Sequence, residues 1–259
     1  MEKRTLLMLL APLALLAALC AGMALGLRAI FEGGMPLVDG ESFVEGRIER
    51  VVDSYTSAFI LEDAQGVVLV DAGMDPAAAT LTAALARRGY QPSDVRAIVF
   101  THGHGDHIGG AGAFPQAELF ALEAEVELVE GRRVAGNLLG MVREPSPTGL
   151  QITRALEDGQ ALQLGGLELE IFAMPGHSLG SAALLCQGVL FIGDAAASMA
   201  DGQLAGPPPV FSADRDAGMA SLQALAARLK PRADEIEWIV PSHQGALEGP
   251  DALLAWTQE

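Results

Sequence analysis

Thr101-His102-Gly103-His104-Gly105-Asp106-His107-Ile108-Gly109-Gly110 is the stretch on which the reading of this 259-residue chain turns. It sets three imidazoles and a carboxylate within six residues. Gly103 and Gly105 free the backbone to fold tightly around a small ion. The stretch directly follows Val95–Phe100, apolar except for Arg96 and read as a largely buried strand. Side chains at a strand end can be aimed together into one pocket. Imidazole with carboxylate suits zinc, and also iron or manganese.

The chain has five histidines. The two outside this stretch sit in similar places. His177 lies in Ala-Met-Pro-Gly-His-Ser-Leu-Gly-Ser, shortly after the strand expected at Leu167–Phe172. His243 lies in Ile-Val-Pro-Ser-His-Gln-Gly, shortly after Trp238–Val240. Asp194 follows Val189–Ile192 in Phe-Ile-Gly-Asp-Ala, and Asp71 follows Val67–Val70 in Val-Asp-Ala-Gly. Structural histidines scattered by chance would not all fall at strand ends.

Working outward, the apolar pattern gives strands at Gly46–Val52, Ser57–Glu62 and Val67–Asp71, with a turn near Ala64–Gly66. Asp75-Pro76 opens an Ala-rich helix to about Arg88, with Pro at the first helical position. Glu118–Leu122 reads as a strand followed by a helix to about Glu130. Residues 131–155 are irregular. Two hairpins follow, at Ala161–Leu164 with Leu167–Phe172, and at Ala182–Cys186 with Val189–Ile192. Residues 200–211 form a loop, Asp214–Lys230 a helix, and Pro250–Thr257 a short last helix. Strand clusters followed by helices occur twice, which predicts two similar halves forming one sandwich.

The N-terminus is different in kind. Lys3 and Arg4 precede an uncharged run from Thr5 to Leu27, long enough to span a bilayer. Residues 1–28 read as a signal peptide or an N-terminal membrane anchor, and residues 29–45 as a linker into the domain at 46–259. The rest of the chain is then exported, to the periplasm or beyond. Lys+Arg number 16 against 33 Asp+Glu, a formal charge of −17, and aromatics make up 5%. Nucleic acid and anionic membrane surfaces are excluded as partners, since both need positive charge. Membrane contact is expected through the N-terminal segment alone. Two cysteines give no disulfide framework, and Cys186 reads as a buried strand residue.

Taken together, VLVDAG with Asp71, THGHGDHIGG, MPGHSLGS, FIGDAA and PSHQG resemble, in order and spacing, the motifs of the metallo-β-lactamase-fold hydrolases. The resemblance covers roughly residues 45–245. It implies an α/β four-layer αββα sandwich, here preceded by an N-terminal hydrophobic helix, with metals at one edge. It implies two divalent cations, zinc first, with iron or manganese as alternatives. His102, His104 and His177 would hold one. Asp106, His107 and His243 would hold the other. Asp194 would bridge both together with a hydroxide that attacks an ester, thioester or lactone carbonyl of a small acyl substrate. Asp106 doubles as the catalytic proton carrier. Asp71 orients a ligand loop without binding metal. Thr101 and Ser178 are expected in supporting roles, not as nucleophiles.

Within that family, the bridging Asp194 counts against a β-lactamase, which stays as the alternative beside a metal-binding sensory module without turnover. Glyoxalase-type thioesterases share Asp194, but many carry a helical domain after the last His. The lactonases share the ligand set, yet neither Tyr55 nor Tyr90 lies in a motif matching their substrate-side tyrosine. Substrate choice is expected from the flanking segments 131–155 and 200–212, where Leu138, Leu139, Met141, Val142 and Pro207–Phe211 are largely apolar.

Overall fold

Alternation along the strands sets the architecture. In β3 (Thr56–Asp63), Phe59 and Leu61 face one way, and Ala58 and Ile60 face the other. Both faces are buried, so the sheet needs a layer on each side. A computed structural model describes residues 33–138 and 140–257 and shows those layers.

The first half of the chain makes one seven-stranded sheet. Its strands, in spatial and chain order, are β1 (Ser42–Phe43), β2 (Ile48–Asp53), β3, β4 (Gly66–Val70), β5 (Val95–Val99), β6 (Glu118–Leu122) and β7 (Arg154–Leu156). Strands β1 to β4 pair antiparallel, and β4 to β7 pair parallel. The second half supplies β8 (Ala161–Leu164), β9 (Leu167–Ala173), β10 (Ala182–Cys186), β11 (Val189–Gly193), β14 (Trp238–Pro241) and β15 (Leu247–Glu248). Their order is β15-β14-β11-β10-β9-β8, with β11 and β14 parallel. A two-stranded ribbon, β12 (Ala197–Ser198) with β13 (Leu204–Ala205), stands apart.

Between the sheets, Phe59, Val68 and Val70 pack with Leu169, Ile171, Leu184 and Phe191. The Phe59 and Phe191 rings sit 4.9 Å apart. Helix α1 (Ala79–Arg87) covers the outer face of the first sheet, with Leu81 and Leu85 against Ile60, Leu69 and Ile98. The short helices α2 (Gly105–Ile108) and α3 (Val126–Val129) lie on the same side, through Ile108 and Val129. Helix α4 (Arg215–Leu229) covers the second sheet through Leu222, Leu225 and Leu229, joined by Trp256 beyond the last helix, α5 (Asp251–Leu254). The layers therefore run α, β, β, α.

Three expectations need correction. The first helix begins at Ala79, not after Pro76, because the Asp75 carboxylate accepts the N–H groups of Ala77 and Ala79 and Ala78 turns left-handed at φ 46°. The chain makes one tight turn before it can wind. The stretch read as a linker contributes β1, because Phe43 is buried in the inter-sheet core. Residues 200–211, read as a loop throughout, contain β13.

From Met35 onward the described residues form one compact unit. The hydrophobic helix expected at residues 5–27, and Leu139, lie outside the described residues. Among the described residues, no helix is long and apolar enough to cross a membrane.

Candidate metal centre

Parallel pairing of β4 with β5, and of β11 with β14, brings the segments after these strands to one edge of the sandwich. Asp71 follows β4, His102 follows β5, Asp194 follows β11 and His243 follows β14. His177 follows β9, which runs in the same direction as β11 because both pair antiparallel with β10. The structure thus collects all seven expected ligands. Three overlapping groups have ligand atoms within 4.8 Å of one another: His102, His104 and His177; Asp106, His107 and His243; and His102, His107 and Asp194. The third group links the other two.

The ring orientations are as telling as the positions. His102 Nε2 lies 3.1 Å from His104 Nδ1, and His177 Nε2 lies 2.9 Å from the same atom. His243 Nε2 is 3.0 Å from Asp194 Oδ2 and 3.5 Å from Asp106 Oδ2. His107 Nε2 is 3.5 Å from Asp194 Oδ1. Four rings direct Nε2 inward, and each has Nδ1 held from outside. His107 Nδ1 donates to Asp71 Oδ2 at 2.8 Å, and His243 Nδ1 donates to the Tyr55 carbonyl at 2.7 Å. His102 Nδ1 meets Thr101 Oγ1 at 3.2 Å, a hydroxyl whose own proton goes to Asp71 Oδ2 at 2.7 Å. His177 Nδ1 meets Ser212 Oγ at 3.3 Å, a hydroxyl that donates to the Pro208 carbonyl. Every outer partner is an acceptor. Each Nδ1 therefore carries a proton, which leaves Nε2 as the nitrogen available to a cation at the centre.

Electrostatics divide the rings. Burial drives the His102 imidazole well below its ordinary range, and His107, His104 and His177 push the same way. Burial likewise lowers His177, to about 3. Burial lowers His107 too, but the carboxylates of Asp194 and Asp71 outweigh it and raise the ring well above its usual value. Burial would raise Asp194, yet His243, His107 and His177 hold it well below the carboxylate range. Two buried atoms, His107 Nε2 and Asp194 Oδ1, face each other without a hydrogen-bond partner. Neutral His102 and His177 and an ionised Asp194 are what a divalent cation requires, and a cation bound there would take the place of the protons that the carboxylates favour on His107 and His243. The donor set fits the ions that the motifs imply.

The supporting residues divide into expected and unexpected. Asp71 is fully buried, sits at φ 58° and accepts the Thr101 N–H at 2.8 Å. It fixes Thr101 and His107 and reaches no other centre group, as an orienting residue would. Ser178 Oγ pairs with Ser181 Oγ at 2.8 Å. Both hydroxyls are buried and bonded within the loops, Thr101 to Asp71 and Ser178 to Ser181 and Glu125.

Glu125 was not foreseen. It is fully buried and accepts the Gly103 N–H at 2.8 Å and the Gly180 N–H at 2.7 Å, tying the two histidine loops together. Arg50 was also missed. Its buried guanidinium pairs with Glu41 at 3.0 Å and donates to the Gln244 carbonyl at 2.6 Å, beside His243. Burial lowers its pKa to about 10, so it stays charged at neutral pH. Asn137 donates to the Phe211 carbonyl at 2.9 Å, and its Nδ2 stands 3.5 Å from His104 Nε2.

Comparison with known proteins supports the same reading. The metallo-beta-lactamase superfamily profile matches residues 51–243. Metallo-beta-lactamase domain-containing protein 1 of Homo sapiens is 38% identical over 120 residues, which is 46% of this chain and 38% of that protein. A hydroxyacylglutathione hydrolase of Xanthomonas axonopodis pv. citri (strain 306) is 32% identical over 152 residues, 59% of this chain and 50% of the relative. The matches thus span half or less of these curated relatives. Among solved structures, the metallo-beta-lactamase MIM-1 from Novosphingobium pentaromativorans superposes with a TM-score of 0.64 at 23% identity, covering 87% of this chain and 88% of that one. BJP-1, a subclass B3 metallo-beta-lactamase of Bradyrhizobium japonicum, gives 0.58 at 22% identity, covering 88% and 84%. At such identities the structures speak for the fold, and the profile match speaks for descent. The chain belongs to the metallo-beta-lactamase superfamily.

Proposed function

We propose that this chain is an exported dinuclear metal-dependent hydrolase acting on the ester, thioester or lactone carbonyl of a small acyl substrate. The observation that carries the reading is the set of four imidazoles whose Nδ1–H groups are tied outward while their Nε2 atoms converge. His102, His104 and His177 would hold one ion. Asp106, His107 and His243 would hold the second, and Asp194 reaches toward both groups. Divalent cations bound there supply Lewis acidity and can lower the pKa of water from 15.7 to about 7.

The chain's own groups account for the rest. Asp106 keeps 21% side-chain exposure, so it can take a proton from the substrate side and return it. Thr101 Oγ1 and Ser178 Oγ are buried and tie Asp71, Ser181 and Glu125 into the loops, which suits supporting roles. Export rests on the uncharged run from Thr5 to Leu27 behind Lys3 and Arg4. A periplasmic reporter fused after residue 45 is expected to be active.

A β-lactam substrate is the second reading, favoured by the match in fold to subclass B3 enzymes over most of both chains. Asp194 weighs against it. Zinc-loaded protein assayed on p-nitrophenyl esters, acyl thioesters, lactones and a chromogenic cephalosporin separates the two. Turnover of acyl substrates, lost in Asp194→Ala, is expected. Turnover of the cephalosporin alone transfers the assignment to the second reading. Bound metal with no turnover of any kind points to a binding module.

A further inference from the structure

We propose that the mouth of this metal centre is a binding site for a long, uncharged acyl chain, so that the substrate is a medium- or long-chain acyl compound; this rests on the hydrolase reading above. Six of the seven exposed large apolar side chains among the described residues lie on loops that touch the centre. They are Tyr55, Leu138, Met141, Val142, Leu179 and Val210, between 40% and 86% exposed. Isolated exposed apolar residues are ordinary, but a cluster around one opening is not.

Direct contacts connect these loops to the centre. The Tyr55 ring stacks on His243, with centroids 5.7 Å apart and planes 20° apart. Leu179 stands two residues after His177. Asn137, next to Leu138, reaches His104 on one side and the Phe211 carbonyl, next to Val210, on the other. Its Oδ1 accepts the Gly140 N–H at 2.9 Å, which fixes the turn that carries Met141 and Val142. Ser212 closes the ring of contacts at His177.

Charge narrows the occupant. Segments 134–142, 176–181 and 203–212 contain no Lys, Arg, Asp or Glu. Arg132 and Arg133, paired with Glu130 and Glu127, and the exposed Arg143 flank the first segment, and the net charge of −17 repels anions. An uncharged hydrocarbon chain gains from such a surface, while its carbonyl reaches the polar floor.

The test uses the full chain loaded with zinc, and the variant Met141→Ser/Val142→Ser, whose altered residues are exposed and outside the ligand set. Substrates are p-nitrophenyl acetate, butyrate and octanoate. Each fully buried methylene is worth roughly three- to fourfold. Wild-type kcat/KM is expected to favour octanoate over acetate by at least tenfold. The variant should lose most of that preference while acetate turnover stays within twofold. A flat chain-length series in a protein that hydrolyses acetate overturns the proposal, as does a variant that keeps the preference. Calorimetry with the uncharged probes 1-octanol and ethanol reads the same site without turnover. Octanol binding weakened at least fivefold in the variant sustains the site even if no ester is hydrolysed. Absence of octanol binding overturns it.

Discussion

At the residue scale, the tautomers of the ligand imidazoles are set by what stands behind them. Asp71 shows this most clearly, because it takes the His107 Nδ1 proton, the Thr101 hydroxyl proton and the Thr101 N–H. Asp71→Asn would put an N–H donor against one of these donors and tip His107 toward the wrong tautomer. We expect metal affinity to fall about 10- to 100-fold, read by competition with a chromophoric chelator, with helix and strand content unchanged. The candidate ligands that the structure brings together were legible from the chain because they are marked locally, at turns after apolar runs. Glu125 and Arg50 were not. Glu125 acts on loops 22 and 55 residues away, and Arg50 on a carbonyl 194 residues away. No spacing rule records such contacts. Arg50 stands between Glu49 and Val51 in a stretch with charges at Arg47, Glu49 and Asp53, so nothing in the sequence marked it as buried.

At the element scale, the loops after β5 and β9 depend on one carboxylate. Glu125 sits in the turn leading into α3 and receives one N–H from each loop. Burial raises its pKa even though those two N–H groups favour the charged form. Glu125→Ala leaves both N–H groups buried and unpaired, at about 1–3 kcal/mol each. A stability loss of about 2–4 kcal/mol is expected in denaturant unfolding of the metal-free chain. Glu125→Gln, which can accept one of the two, should fall between. Unchanged stability in Glu125→Ala would show that the loops hold themselves. Strands were read well, with Glu118–Leu122 and Ala182–Cys186 matching to the residue, because both faces of a buried strand must be apolar. The start of α1 was misplaced because a side chain captured the first N–H groups. Such Asx capping competes with helix formation and looks the same in sequence as a helix start.

At the scale of the whole molecule, two halves meet across the inter-sheet core, and polar staples join their rims. Asp63, at the end of β3, accepts from Gly166 N at 2.7 Å in the β8–β9 turn and from Arg96 Nη2 at 2.6 Å; Arg96 also donates to the Leu164 carbonyl. Burial opposes its charge, but those hydrogen bonds outweigh it and lower the pKa from 3.8. The ionised form is therefore favoured by folding. Its contribution is complete above the unfolded value and fades as pH falls through the lower folded one. Asp63→Asn should cost about 1–2 kcal/mol at pH 7, with the gap to wild type closing as pH falls below the ordinary carboxylate range. A gap that widens in acid would reverse the sign of this account. The division into two halves was legible because hairpin clusters and helices repeat; how the rims are stapled was not, because Asp63 and Gly166 lie 103 residues apart. The central claim concerns what the sandwich edge holds. Elemental analysis of the purified full chain after equilibration with zinc and removal of free metal tests it most directly. Two ions per chain are predicted, with fewer than one remaining in Asp194→Ala; a wild-type value of one or fewer, or two retained in Asp194→Ala, would contradict it.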